Sequence, residues 1–111
     1  MHDEFVQKWT SQVKKGTLSF ILLQILKEKK LYGYELITAM RDQVKIELAE
    51  GTLYPLMNRL KKEGLVDAQW VEQESGIPRK YYHLTKTGEA TLEAMKVYWN
   101  EMSTSINRLL Q

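Results

Sequence analysis

Apolar residues recur along the chain with helical spacing. Phe5, Trp9 and Val13 lie four apart, which predicts a helix over residues 3–14 with a single apolar stripe. Leu18, Ile21, Leu22, Ile25 and Leu26 follow the i, i+3, i+4, i+7, i+8 pattern, and Phe20 and Leu23 widen it. A second, largely buried helix is therefore expected over 18–29, with Thr17 as its N-cap. Residues 33–43 predict a third helix, with Leu36, Ile37, Met40 and Val44 facing inward. Residues 49–63 predict a fourth, closed by Gly64 in a C-terminal cap position.

The period then changes. Leu65 to Glu72 alternates roughly and is rich in strand formers, and Arg79 to Leu84 does the same around Tyr81 and Tyr82. The intervening Gln73-Glu74-Ser75-Gly76-Ile77-Pro78 has loop chemistry, so the two runs predict a β-hairpin. Thr85 is an N-cap for a last helix reaching nearly to Gln111. Helices followed by a two-stranded hairpin and a long helix give a mainly α fold with a small β-hairpin. Element order makes it a winged helix-turn-helix with a long C-terminal dimerisation helix.

The segment Glu50 to Gly64 carries the most chemistry. With each residue advancing about 100°, Leu53, Leu56, Met57 and Leu60 share a core-facing arc. The opposite arc holds Gly51, Pro55, Asn58 and Lys62, flanked by Tyr54 on one side and by Thr52 and Arg59 on the other. A glycine costs about 1 kcal/mol of helix propensity relative to alanine, and a proline removes a backbone donor. Either these two residues shape a helix–helix junction, or their small size lets the helix N-terminus approach another surface, where free N–H groups and the helix dipole favour a phosphate. We expect the second. Thr52, Tyr54 and Asn58 can donate to phosphates or base edges, and Arg59 and Lys62 can neutralise backbone charge. Arg79 and Lys80 follow Pro78 at the start of the returning strand, where a wing lying along DNA would meet a phosphate or the minor groove.

In the last helix, Leu92, Met95, Trp99, Met102, Ile106 and Leu109 are spaced 3, 4, 3, 4, 3, an a/d seam. A helix of roughly 25 residues spans about 37 Å, longer than so small a domain needs for its own core. The seam either packs against the chain's own first helix or joins two copies. We expect a homodimer, with Phe5, Trp9 and Val13 of one chain covering the seam of the other.

Composition adjusts this picture. The chain has 111 residues, room for one small domain. Sixteen basic and fourteen acidic side chains leave a charge of +2, but the charges are segregated. Residues 8–45 carry eight basic and three acidic groups, residues 76–88 three basic and none acidic. The acids collect from Glu63 to Glu74 and along the last helix, so a modestly basic head joins a near-neutral stalk. The absence of cysteine excludes disulfides, thiol nucleophiles and zinc ribbons. His2 and His83 are the only histidines, and no nucleophile, phosphate-binding glycine loop or metal-ligand cluster accompanies them. An enzyme, a resident metal and a cofactor are therefore not expected. The acidic start Met1-His2-Asp3-Glu4 does not read as a signal peptide, and the longest apolar stretch, around Phe20 to Leu26, is far short of the ~18–20 residues that span a bilayer. A cytoplasmic protein with no membrane partner is expected. The alternative to DNA binding is a protein-interaction module that kept the fold, favoured by the modest charge and by Glu72 and Glu74 near the wing tip.

Three motifs then occur in order: Leu31-Tyr32-Gly33-Tyr34-Glu35-Leu36; Glu50-Gly51-Thr52-Leu53-Tyr54-Pro55 with Leu60 and Glu63-Gly64-Leu65-Val66; and Arg79-Lys80-Tyr81-Tyr82-His83-Leu84-Thr85 with Gly88. Together, from about residue 17 to 90, they resemble the PadR family of bacterial transcriptional regulators, in its small form with one C-terminal helix. The resemblance implies a winged helix-turn-helix homodimer that represses from a pseudo-palindromic operator. It implies a DNA-binding domain over 1–84 and a dimerisation helix over 85–111. Residues 50–63 match the family's recognition helix and 65–84 its wing, and Tyr32 would reach the DNA backbone while Tyr34 joins the core. One departure is Leu48-Ala49-Glu50, where relatives often carry a Ser or Asn cap. In a multidrug-sensing branch a tryptophan matching Trp99 lines a cavity between subunits and stacks planar aromatic ligands. By that resemblance Val13, Phe20, Trp99 and Ser103 would line a pocket, with Ser103 standing where the branch has an acidic residue and Phe20 partly filling the space.

Overall fold

The computed structural model describes residues 2–111, apart from the side chain of His2. Its elements run α1 (His2–Ile25), β1 (Leu31–Tyr32), α2 (Gly33–Val44), α3 (Glu50–Lys62), β2 (Val66–Val71), β3 (Arg79–Leu84) and α4 (Lys86–Leu110). The fold is the expected one, mainly α with a small antiparallel sheet and a long last helix.

The first two predicted helices are one. α1 passes through Gly16 and Thr17 without a break. Thr17 is not a cap: its hydroxyl donates back to the Val13 carbonyl at 2.7 Å, the bond a threonine makes inside a helix. The helix ends at Ile25, short of the predicted 29, in a turn where Glu28 takes a left-handed φ of 60°.

The sheet has three strands rather than two, in the order β1-β3-β2. β1 is only Leu31 and Tyr32, paired with Tyr82 and Tyr81 of β3. β2 pairs antiparallel with β3 from Val66↔Leu84 to Val71↔Arg79. β1 leads directly into α2, so one edge of the sheet is stitched to the helix-turn-helix.

The core collects Leu22 and Leu23 of α1, Leu26 in the turn after it, Leu36 and Met40 of α2, the whole apolar arc of α3, and Val66, Tyr82 and Leu84 of the hairpin. Val44, expected inward, lies at the surface. Leu48 is buried in the turn between α2 and α3, and Lys45 takes a left-handed φ of 60° at the end of α2, which together fix the angle between the two helices. Gly64 ends α3 with φ +78°, a conformation that favours glycine. The Leu65 N–H reaches the Leu60 carbonyl and the Gly64 N–H that of Lys61, closing the last turn in a Schellman arrangement. Thr85 caps α4 as predicted, accepting from the Gly88 N–H at 2.9 Å, while its own hydroxyl donates to the Gly64 carbonyl.

α4 runs antiparallel to α1, with Lys27 beside Glu93 and Phe20 beside Trp99. Both helices outrun the core. The radius of gyration is 16.1 Å, against about 13 Å for a compact chain of this length, and the longest dimension is 54 Å. The N-terminal half of α1 and the C-terminal half of α4 form this projecting arm.

Candidate nucleic-acid interface

α3 presents two unlike faces. Leu53, Leu56, Met57 and Leu60 are buried, whereas Gly51, Thr52, Pro55, Asn58, Arg59 and Lys62 are all exposed. An added Cβ at Gly51 would meet nothing within 4 Å, so this glycine serves no helix–helix junction in the chain. Pro55 leaves the Gly51 carbonyl without its i+4 donor, on the same outward face. Ala49 at the N-cap offers no side-chain bond, as its identity predicts, so no side chain occupies the first N–H groups of the helix. Asn58 and Arg59 remain open to solvent on the outward side.

Beside this face lies a cleft of about 390 Å³, between α3, the start of α2 and the wing. It brings together five of the ten residues expected at a DNA interface: Tyr32, Tyr54, Asn58, Arg79 and Lys80. The other five, Gly51, Thr52, Pro55, Arg59 and Lys62, lie outside it on α3. Gly33, Trp70, Pro78 and Tyr82 complete the lining and were not expected there.

The start of α2 explains its own residues. Tyr32 is the N-cap, and its N–H donates to Glu35 Oε1 at 3.2 Å. Gly33 is buried against Tyr54: a Cβ at position 33 would overlap the Tyr54 hydroxyl. Tyr54 is thus partly a spacer between α2 and α3 as well as a surface donor. Tyr34, expected in the core, is 65% exposed and lies beside Tyr32, with ring centroids 6.5 Å apart. Residues separated by one position in the first turn of a helix leave it in different directions, and here the Gly33 position is the one that faces the core.

On β3, Arg79 and Lys80 leave opposite faces of the sheet. The Arg79 guanidinium lies 4.5 Å from the Tyr32 ring centroid, and Lys80 Nζ lies 5.8 Å from Trp70 and 5.7 Å from Tyr82. Neither cation has a carboxylate partner among the described residues. Both positive charges therefore remain available to an anion. Burial, and then the neighbouring Tyr54 phenol, push the Tyr82 hydroxyl above its ordinary range, so it stays a neutral donor.

The predicted seam on α4 divides in two. Leu92 is 1% exposed and belongs to the chain's own core, and Met95 packs against that core, so Leu92 is a correction to the expected interface. The stripe emerges further along. Trp99 is 37% exposed and Leu109 84%, with Ile106 between them, and Phe5 and Trp9 are exposed on α1. An apolar cavity of about 460 Å³ lies between α1 and α4. Phe20 and Trp99 line it, their ring centroids 5.7 Å apart, together with Gly16, Thr17, Tyr98 and Met102. Val13 and Ser103 are not part of its lining within the single chain.

Among the described residues, no His, Cys, Asp and Glu cluster could hold a metal ion, and no helix is long and apolar enough to cross a membrane. His83 lies in β3 opposite Asp67, its Nδ1 buried without a hydrogen-bond partner.

A helix-turn-helix with an outward polar helix face and two unpaired cations on the returning strand of its wing defines a winged-helix DNA-binding protein. Residues 22–94 match the model of the transcriptional regulator PadR-like family, and the chain belongs to that family. A PadR-like transcriptional regulator of Bacillus cereus is 39% identical, with a TM-score of 0.82 over 90% of this chain and 97% of its own. A PadR family transcriptional regulator of Eggerthella lenta is 34% identical, with a TM-score of 0.87 over 99% and 96%. A PadR-like transcription factor of Bacteroides fragilis is 35% identical, with a TM-score of 0.77 over 92% and 98%. The protein is accordingly a DNA-binding regulator of transcription.

Proposed function

We propose that the protein is a repressor that works as a homodimer on a pseudo-palindromic operator. Residues 1–84 form the DNA-binding domain and residues 85–111 the dimerisation helix. α3 enters the major groove with Thr52, Tyr54, Asn58 and Arg59 toward base edges and phosphates, and Lys62, Arg79 and Lys80 contact the backbone. The observation that carries this reading is the outward face of α3, with its small, uncapped N-terminal end and unpaired cations on the adjoining wing. Two copies joined along the arm place their recognition helices about one helical turn, ~34 Å, apart.

The arm supports pairing because its apolar surface has no cover in the single chain: Phe5, Trp9, Trp99, Ile106 and Leu109 are all exposed. The cavity beside Trp99 fits a small planar aromatic effector whose binding releases the operator. It lies on the surface proposed to pair, so a ligand there would alter how the two heads are spaced.

The test is a gel shift with the duplex upstream of the protein's own coding sequence. Retention at low salt is expected, weakened in Arg59→Ala and in Lys80→Ala. Retention unaltered in both variants removes these residues from the interface, and no retention of the wild type at low salt favours a protein-interaction role instead. For the effector, planar aromatics should quench tryptophan fluorescence in the wild type and much less in Trp99→Ala. Equal quenching in the variant moves the site to Trp9 or Trp70.

A further inference from the structure

Arg79 has no carboxylate within ion-pair distance among the described residues; its neighbour is the Tyr32 ring, 4.5 Å from guanidinium carbon to centroid. That ring is itself held in place. Its backbone lies in β1, paired with Tyr81 of β3. Its N–H donates to Glu35 Oε1, its ring meets that of Tyr81 in a T-shaped pair with centroids 5.3 Å apart and planes at 66°, and Tyr34 stacks beside it. Arg79, by contrast, stands at the open end of β3, past the end of the two-residue β1, where its side chain would sample many rotamers without a neighbour. An aromatic face attracts a cation without neutralising it or consuming its in-plane N–H donors, as a carboxylate would. The arrangement leaves all five guanidinium donors free while restricting where they point.

We propose that Tyr32 is a positioning residue for DNA binding. Its ring holds the Arg79 guanidinium at the loop end of the wing, aimed at a backbone phosphate, and its effect on DNA passes through Arg79 rather than through its own hydroxyl. This deepens the reading of the wing given above and rests on it. It also gives the Tyr32-Gly33 pair of the first motif a joint purpose. Tyr32 couples α2 to the wing, Gly33 couples α2 to α3 through Tyr54, and one tight turn of chain sets the geometry of the whole DNA-facing surface.

The test is fluorescence anisotropy at low salt with a labelled mixed-sequence duplex of about 30 base pairs, long enough for two half-sites. Phosphate contacts are sequence-independent, so this probe reports them. Tyr32→Leu should weaken binding about two- to five-fold, the value of an exposed cation–π contact. Tyr32→Phe should bind as the wild type does, because the ring face remains. In an Arg79→Ala background, Tyr32→Leu should cause no further loss. Equal losses in Tyr32→Phe and Tyr32→Leu would assign the effect to the hydroxyl and overturn the proposal. Equal losses from Tyr32→Leu with and without Arg79 would make the role purely structural and also overturn it. If Arg79→Ala itself binds like the wild type, the wing assignment fails and the proposal fails with it.

A measurement on the free protein separates these failures and does not depend on the leucine variant folding. By proton NMR, the Arg79 δ-methylene protons should be shifted upfield by the ring current in the wild type and in Tyr32→Phe. Ordinary arginine shifts in both would show that the brace is absent, whatever the protein does with DNA.

Discussion

α3 and α4 carry the same kind of apolar stripe, but the chain treats them differently. The arc Leu53, Leu56, Met57 and Leu60 disappears entirely into the protein's own core. The α4 stripe starts in that core at Leu92 and then leaves it, its exposure rising toward Leu109. α1 shows the same division in reverse, exposed at Phe5 and Trp9 and buried from Leu22 onward. Spacing alone therefore says that a helix has a face to bury, while length and exposure say whether the same chain buries it. The head is complete within one chain, and the arm leaves its apolar stripe uncovered.

This contrast can be broken from the arm first. Ile106→Glu puts a charge in the exposed stripe without touching the head. Sedimentation should show a folded single chain in place of a pair, with unchanged helical circular dichroism. DNA affinity should fall by about 10²–10⁴-fold, the gain that linking two binding heads supplies. A variant that still sediments as a pair would place the dimer surface elsewhere.

The head should respond in the opposite way. Leu53→Ala empties a fully buried position and should cost about 2–5 kcal/mol in urea unfolding, whatever the protein concentration. A much smaller loss would mean that α3 is held by something other than its apolar arc. The junction between head and arm gives the smallest effect. Thr85→Ala removes the cap on α4 and should lower stability by about 1 kcal/mol. An unchanged midpoint would show that the start of α4 is secured by packing rather than by its hydrogen bond.

Most of the fold was legible because period and punctuation agreed: the arc of α3, Gly64 after it, the alternating hairpin, and Thr85 ahead of α4. The failures have identifiable causes. Gly16-Thr17 has the composition of a break and a cap, but Thr17 bonds to Val13 within the helix, and packing against α4 just beyond holds α1 continuous. β1 is two residues long and exists only through its pairing with β3, which no local pattern can reveal. The surface residues of α3 could be read from their angular position. The contacts of Tyr32 with Arg79 and of Gly33 with Tyr54 could not, since they depend on how the sheet edge meets the helices. Leu92 was misassigned because a heptad seam does not record where the intramolecular core ends.

Sedimentation of a labelled duplex from the protein's own upstream region, titrated with protein across a range of salt, tests the two-part account most directly. Two chains should travel with each duplex. If Arg59, Lys62, Arg79 and Lys80 of both heads contact phosphates, log affinity should fall against log salt with a slope of about −7. A complex of one chain per duplex with about half that slope, or no complex at low salt, would contradict the division of the molecule into a DNA-reading head and a pairing arm.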